Sequence, residues 1–411
     1  MRRYILLLRD RPQFRYLWLA AAVSFAGDWF NTIATVILVN RYTDSTTAVG
    51  LLFIARALPP FLLGPAAGVI ADRFNRKAIL IVTDLLRAGI VLGFLLVQSA
   101  EQAWLIYVLT ISQFIISAFF NPARAALLPS LVQGRDELLT ANTLTGITWS
   151  AMLALGAAAG GLVAGLFGVE TAIIIDAATF LISALFVLHI QVAPREKQPG
   201  PRDSGWRDFI NGALYLRHRP RTALTASVKG LTQIGSPDIM IAVYAASIFP
   251  LGRDGALALG WLYAAAGLGA IIGPLAANRV GDGSRRALQI GIAVGFILVT
   301  VGWFLFGWAP VLPLAALAIL VRHMGGSINW TYSDVLLQRN VEDQFLGRVF
   351  AFNFAFFTLA MALSVWLSGL ILDNTGITSR QLAYLLSAAS LLPLLPWIWA
   401  SRTTRQPVSK P

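Results

Sequence analysis

The sequence predicts an all-α membrane protein: twelve transmembrane helices in two pseudo-symmetric six-helix bundles, with both termini cytoplasmic. Three observations carry that prediction. Apolar runs longer than about 18 residues, the length that spans a bilayer core, recur along the whole chain. The 411 residues are 57% hydrophobic and only 13% charged. Basic residues alternate between the two ends of successive runs, and one stretch of sequence returns 209 positions later.

The runs fall at 14–39, 48–70, 78–98, 103–121, 140–167 and 171–191 in a first half covering 1–191. In a second half covering 221–411 they fall at 221–249, 255–277, 287–308, 311–332, 346–372 and 379–400. The first run is too long for a cleaved signal peptide and leads into further membrane sequence, so it is expected to be retained as span one. Residues 192–220 form the longest interruption and hold Pro194, Pro199 and Pro201 in a charge-rich setting, which marks a linker. Within it Trp206, Phe209, Ile210, Ala213 and Leu216 recur at helical spacing, predicting an amphipathic helix at the membrane surface.

With both termini inside, 25 of the 32 basic residues lie on the cytoplasmic side, among them Arg73, Arg76, Lys77 and Arg348. Only Arg41, Arg253 and Arg380 lie outside. That bias sets orientation. The net charge of +12 is therefore a topological and lipid-headgroup signal, and no nucleic-acid partner is expected.

The repeat supports two related halves. GPAAGVIADRFNRKAIL begins at Gly64 and GPLAANRVGDGSRRAL at Gly273, placing Arg76-Lys77 on Arg285-Arg286. The same offset places Leu127-Leu128 on Leu336-Leu337. Parallel six-helix repeats with a midplane site between them are a construction of alternating-access transporters.

Enzymatic chemistry finds no support. Cysteine is absent, which removes disulfide frameworks and Cys-based metal or nucleophile sites. No P-loop is present. GLGAIIG, Gly267 to Gly273, misses the dinucleotide spacing by one residue and lies inside a span, where helix packing explains it. Three histidines, His189, His218 and His323, form neither a metal cluster nor a triad. No cofactor is expected.

Ionisable residues inside spans are costly in lipid and mark candidate function. Asp28 sits in span one with Asn31 one turn on, Arg56 in two, Asp84 and Arg87 in three, Asp176 in six, Lys229 and Asp238 in seven, and Arg322 with His323 in ten. Asp28 and Asp238 are nearly repeat-equivalent. Three roles are open for Asp28: a proton carrier, a partner of Arg56, or a contact for a cationic substrate. Asp238 is expected to share that role or to neutralise a cation of span ten. Lys229 is nine residues from Asp238, half a turn out of phase, so the two are not expected to pair. Arg322 cannot shed its proton and needs a carboxylate, an anion or water. His323 is either a proton relay or a hydrogen-bonded packing residue. Asp84 and Arg87, three apart, are expected to bind each other or the loop after span two. Asp176 is expected to hydrogen-bond neighbouring helices. Asp72, at the end of span two among basic side chains, reads as a charged latch, or as a turn that only anchors topology.

These residues carry a resemblance. GVIADRFNRKAIL, Gly68 to Leu80, resembles the signature loop of the major facilitator superfamily, with Gly68, Asp72, Arg73, Arg76 and Lys77 matching and Asn75 in place of its second glycine. Asparagine is expected there to tolerate a left-handed backbone. TDLLRA, NPARAALLPSLV, IDAATFLISAL and LGRVFAF are similar to bacterial exporters of drugs, macrolides and enterobactin. The family's antiporter pattern in span five is matched by Gly156, Gly160 and Gly161, but Ala157 stands where its proline would be; small residues there also serve close helix packing.

The resemblance implies that spans one, four, seven and ten line a central cavity and that Asp72 gates it, with Arg348 as its nearest candidate partner. It implies a proton-coupled antiporter that exports amphipathic small molecules from a bacterial inner membrane. Its partners would be substrate, protons and membrane lipid, and a monomer is expected. Lipid or lysophospholipid flipping, and a receptor or scaffold role without transport, remain as alternatives.

Overall fold

The computed structural model describes residues 2–43, 45–191 and 205–402, and every regular element among them is helical. Lipid dictates this, because a spanning segment must satisfy its backbone groups internally. In chain order the helices are α1 (Arg2–Asp10), α2 (Pro12–Thr43), α3 (Thr46–Arg73), α4 (Arg76–Gly93), α5 (Ala103–Leu127), α6 (Gly134–Phe167), α7 (Val169–Leu188) and α8 (Gly205–Arg217). They continue with α9 (Pro220–Thr232), α10 (Pro237–Val243), α11 (Ala256–Val280), α12 (Arg285–Trp308), α13 (Leu312–Asn340), α14 (Asp343–Asn374), α15 (Ser379–Ala389) and α16 (Leu394–Arg402).

Ten helical segments among the described residues are long and apolar enough to cross a membrane. The expected spans 221–249 and 311–332 are not among them. The first is not continuous: α9 stops at Thr232, Gly235 takes φ +73°, and α10 restarts at Pro237, ending in a five-residue π-helical turn. The second, within α13, is unbroken over 29 residues but carries Arg322, His323, Asn329 and Asp334, which lower its hydropathy.

Local sequence fixes many helix ends. Ser45 and Ser284 accept hydrogen bonds from the N–H groups of Ala48 and Ala287. Thr378 and Gln381 close a reciprocal capping box at α15. Asn75 departs from expectation: its backbone is extended at φ −66°, ψ 111°, and its side chain caps α4 by accepting from Ala78 N. A helix start follows at once, so the position asks for a capping oxygen and not for a left-handed turn.

The chain forms two compact units. One holds residues 1–205 with 241–267, the other 206–240 with 268–411. In the first, α2 packs on α6 and α7, α3 on α5, and α4 on α5 and α7. Between Phe30 and Val39, α2 is buried on every side, the pattern of a helix enclosed by others. In the second unit α12 packs on α13 and α15, as α4 does on α5 and α7, and α9 packs on α14, as α2 does on α6. The partnerships recur at the repeat offset.

Small residues permit close helix approaches within the first unit. A Cβ on Gly161 would stand 2.6 Å from Gly260 Cα, and one on Gly267 would stand 2.4 Å from Ala154 N. Gly267 thus serves packing. Leu216 of α8 is buried with Leu337, Val341 and Val349 in the second unit, so that face of the linker helix meets protein. Residues 192–204 lie outside the described residues.

Candidate functional site

Each unit contains its own buried polar cluster. In the first, Asn31, Thr32 and Thr35 follow Asp28 along the enclosed stretch of α2. Thr32 and Thr35 turn their hydroxyls back to the carbonyls of Asp28 and Asn31, at 2.6 and 2.7 Å. Those residues receive Arg56 from α3. One guanidinium nitrogen donates to Thr32 Oγ1 at 2.5 Å, and the other reaches Asn31 Oδ1 and Thr35 Oγ1 at 3.4 Å each. The Phe114 ring centroid lies 4.8 Å from the guanidinium carbon. These three hydrogen bonds of Arg56 fall one and two turns beyond Asp28, whose side chain is half-buried and faces the charges of Arg87 and Arg56.

Asp84 and Arg87 of α4 form a buried ion pair with each other, and Ser183 of α7 donates to Asp84 Oδ2 at 2.7 Å. Arg87 lies between aromatic faces, 4.4 Å from the Phe120 centroid and 4.3 Å from that of Phe180, where cation–π attraction offsets lost hydration. Asp176 of α7 is fully buried, and neither carboxyl oxygen has a hydrogen-bond donor. Of the neighbouring helices, α2 brings the Asn31 amide to face this carboxyl, without a hydrogen bond of good geometry to either oxygen.

The second unit's cluster surrounds the break between α9 and α10. Breaking a helix orphans N–H and C=O groups that cannot remain bare in a membrane protein. Ser364 of α14 accepts from both Gly235 N and Ser236 N at 2.9 Å. Arg322 of α13 donates to the carbonyls of Thr232 and Gly235 at 3.3 Å each. Its hydrogen bonds thus go to backbone carbonyls, acceptors that the break supplies and an intact helix would have used itself, while the carboxylate of Asp238 faces it as expected. Asn329 adds a hydrogen bond to Thr232 Oγ1 at 3.0 Å. Asp238 accepts from Ser236 in the first turn of α10. His323 Nδ1 lies 3.0 Å from the Ile319 carbonyl on its own helix.

Lys229 of α9 pairs with Asp334 of α13, a residue that the reading of charges within spans overlooked. The Nζ–Oδ1 distance is 2.8 Å, and the ammonium also lies 3.9 Å from the Trp330 ring centroid. Asp334 falls just past the end assigned to span ten, yet it stands one turn from Trp330 on the same face. The apolar run ended too early to include it.

At the loop after α3, Arg76 donates to the carbonyls of Ala71 and Ala126, and Lys77 to those of Leu188 and Ile190, all within 2.7–3.1 Å. These cations tie together the C-terminal ends of α3, α5 and α7, where helix dipoles favour positive charge. Arg73 is exposed. Arg348 lies over the Phe345 ring at 5.6 Å. The side chains of Gly68 and Asp72 lie outside the described residues. At the opposite end of the first unit, Arg41 binds Asp254 at 2.5 Å and approaches Glu170 at 3.6 Å.

No group of three or more His, Cys, Asp or Glu suited to a metal ion occurs among the described residues. The arrangement is that of charges and hydroxyls buried between helices.

Comparison with known proteins agrees with this architecture. The assigned bacilysin exporter BacE of Bacillus amyloliquefaciens is 27% identical over 365 residues, covering 88% of this chain and 89% of that protein. The enterobactin exporter EntS of Escherichia coli is 26% identical over 351 residues, covering 84% and 81%. The solved structure of the nucleoside transporter NupG superposes with a TM-score of 0.73 at 13% identity, over 94% of this chain and 98% of that one. The model of the Major Facilitator Superfamily matches residues 17–340. The chain therefore belongs to the Major Facilitator Superfamily and is a multi-pass membrane transporter with exporters among its relatives, not an enzyme.

Proposed function

We propose that this transporter exports amphipathic small molecules in exchange for protons, from a bacterial inner membrane, by alternating access. The single observation that carries this reading is Asp28: a half-buried carboxyl on the most enclosed helix of its unit, with Arg87 and Arg56 as the cations facing it. A carboxyl that is accessible in one arrangement and sealed in another can bind and release a proton as the transporter cycles. The exporter relatives support the direction, and the substrates in their names, bacilysin and enterobactin, support a small polar-apolar cargo.

In this reading the chain crosses the membrane twelve times with both termini cytoplasmic. The broken α9–α10 segment and the polar α13 are the seventh and tenth spans, whose polarity serves a cavity. Asp72 acts as the latch of the α3–α4 loop, with Arg348 as its candidate partner, and Lys229, Arg322 and Asp238 supply charge to the cavity.

The test is uptake of amphipathic probes, ethidium among them, into inverted vesicles under an imposed pH gradient. Wild-type protein accumulates a probe when the gradient is present, and Asp28→Asn does not. Unchanged gradient-driven accumulation in Asp28→Asn removes Asp28 from the mechanism. Asp72→Asn is expected to lose most transport while remaining folded.

A further inference from the structure

We infer that Asp176 is a second proton-binding group of the first unit, a neutral carboxyl sealed behind Gly27 and reached through Asp28. This rests on the proton-coupled reading above and adds a second carboxyl to it.

The geometry is specific. Asp176 is 0% exposed, and both carboxyl oxygens lack a donor. A buried carboxylate without water or donors is strongly disfavoured, whereas the protonated acid escapes most of that cost. Neighbours that could have stabilised a charge are engaged elsewhere. Thr179 turns its hydroxyl to the Asp176 backbone carbonyl at 2.7 Å. Arg87 pairs with Asp84, and Arg56 hydrogen-bonds to Asn31, Thr32 and Thr35. Neither arginine makes an ion pair with Asp176. The groups that face Asp176 are Asp28 and the Asn31 amide from α2, Arg56 from α3 and Arg87 from α4. Asp84 of α4 in turn faces Asp28. Asn31 Nδ2 is itself buried without an acceptor. The site therefore holds an unused donor beside two unused acceptor oxygens.

Gly27 is the seal. A Cβ at that position would stand 2.6 Å from Asp176 Oδ1 and 2.0 Å from Thr179 Oγ1. The bare backbone of α2 lies against the acid at Gly27, and Asp28 is the next residue along. A displacement of α2 against α7 brings the two carboxyls into exchange. The step breaks the O–H bond on Asp176 and forms one on the Asp28 carboxylate, so the summed charge of the pair is unchanged. Two carboxyls that interact electrostatically titrate as a coupled pair.

Infrared spectroscopy of the purified full chain in lipid nanodiscs reads this without any substrate. At neutral pH the wild type shows the C=O band of a protonated carboxylic acid, and Asp176→Asn loses it. Asp176→Ser, smaller than the native residue, gives the same reading if the asparagine variant does not fold. A band that survives in both variants overturns the inference, as does one lost in Asp28→Asn but kept in Asp176→Asn. In vesicles, Asp176→Asn is expected to lose gradient-driven ethidium accumulation and to keep ethidium exchange at equal pH; full gradient-driven accumulation also overturns the inference. If the wild type accumulates no probe under a gradient, the proton-coupled reading fails by itself, and the infrared band still decides whether Asp176 binds a proton.

Discussion

Lys229 and Asp334, 105 positions apart in sequence, form an ion pair within the second unit with Nζ 2.8 Å from Oδ1. The lysine side chain is 6% exposed and the carboxylate 24%. Removing one partner strands the other charge in a poorly solvated place. Asp334→Asn or Lys229→Met alone is therefore expected to cost about 3 kcal/mol, the low end for a buried pair because Asp334 keeps some water. The double variant Lys229→Met/Asp334→Asn should recover most of that loss, as measured by thermal denaturation of the detergent-purified protein. Additive losses would show that the pair is not coupled.

Ser364 holds two backbone N–H groups of the α9–α10 break at once. Ser364→Ala leaves both without an acceptor, with an expected loss of about 1–3 kcal/mol for each buried group. Gly235→Ala acts at the same place by a different route. Its φ of +73° disfavours any side chain, and a Cβ would stand 3.0 Å from Trp303 Nε1 and 3.1 Å from Leu386 Cβ. A lowered melting temperature in both variants checks the account of the break; an unchanged one in Ser364→Ala refutes it.

Gly161 and Gly260 bring α6 and α11 together inside the first unit. Because the obstructing atoms are backbone, Gly260 Cα at 2.6 Å and Ala256 O at 2.7 Å, neither helix can yield by turning a side chain. Gly161→Ala should cost about 1–3 kcal/mol by overpacking. Gly146→Ala, where a Cβ meets nothing within 4 Å on the same helix, is the control and should melt like wild type.

Asp254 is the one non-glycine residue with positive φ among those described, at φ 51°, ψ 29°. Its carboxylate binds Arg41, and both side chains are about a third exposed. Asp254→Asn retains tolerance of the left-handed backbone and loses only the charge, so stability should change by less than about 1 kcal/mol, and less still in high salt. Asp254→Val adds the steric cost of that backbone, about 1–2 kcal/mol more. Equal melting temperatures for the two variants would show that backbone conformation is not what the aspartate supplies.

Much of the architecture is legible residue by residue. The Gly64 and Gly273 segments announce related halves, and the packing of α4 and α12 on corresponding neighbours follows the same offset. Span seven reads as one apolar run, and the structure breaks it at Gly235 and Pro237. The exporter resemblance is carried by short matches along the chain and agrees with relatives such as EntS. The polar sites were less legible. Asp334 lay beyond an apolar run and so escaped a search confined to spans. Arg322 has the carboxylate of Asp238 acting on it as expected, but its hydrogen bonds go to carbonyls that exist only where α9 stops, which the sequence did not reveal.

Hydrophobicity accumulates along the chain, so run length, basic bias and repeat offset determine the helical membrane class from the sequence by itself, and the loop from Gly68 to Leu80 carries the resemblance to the family. Which polar groups meet is set by the rotation and axial register of one helix against another, and a fraction of a turn changes every partner. That is why only the tertiary structure gave Lys229 to Asp334, turned Arg56 toward Thr32, and left Asp176 beside Gly27 without a donor.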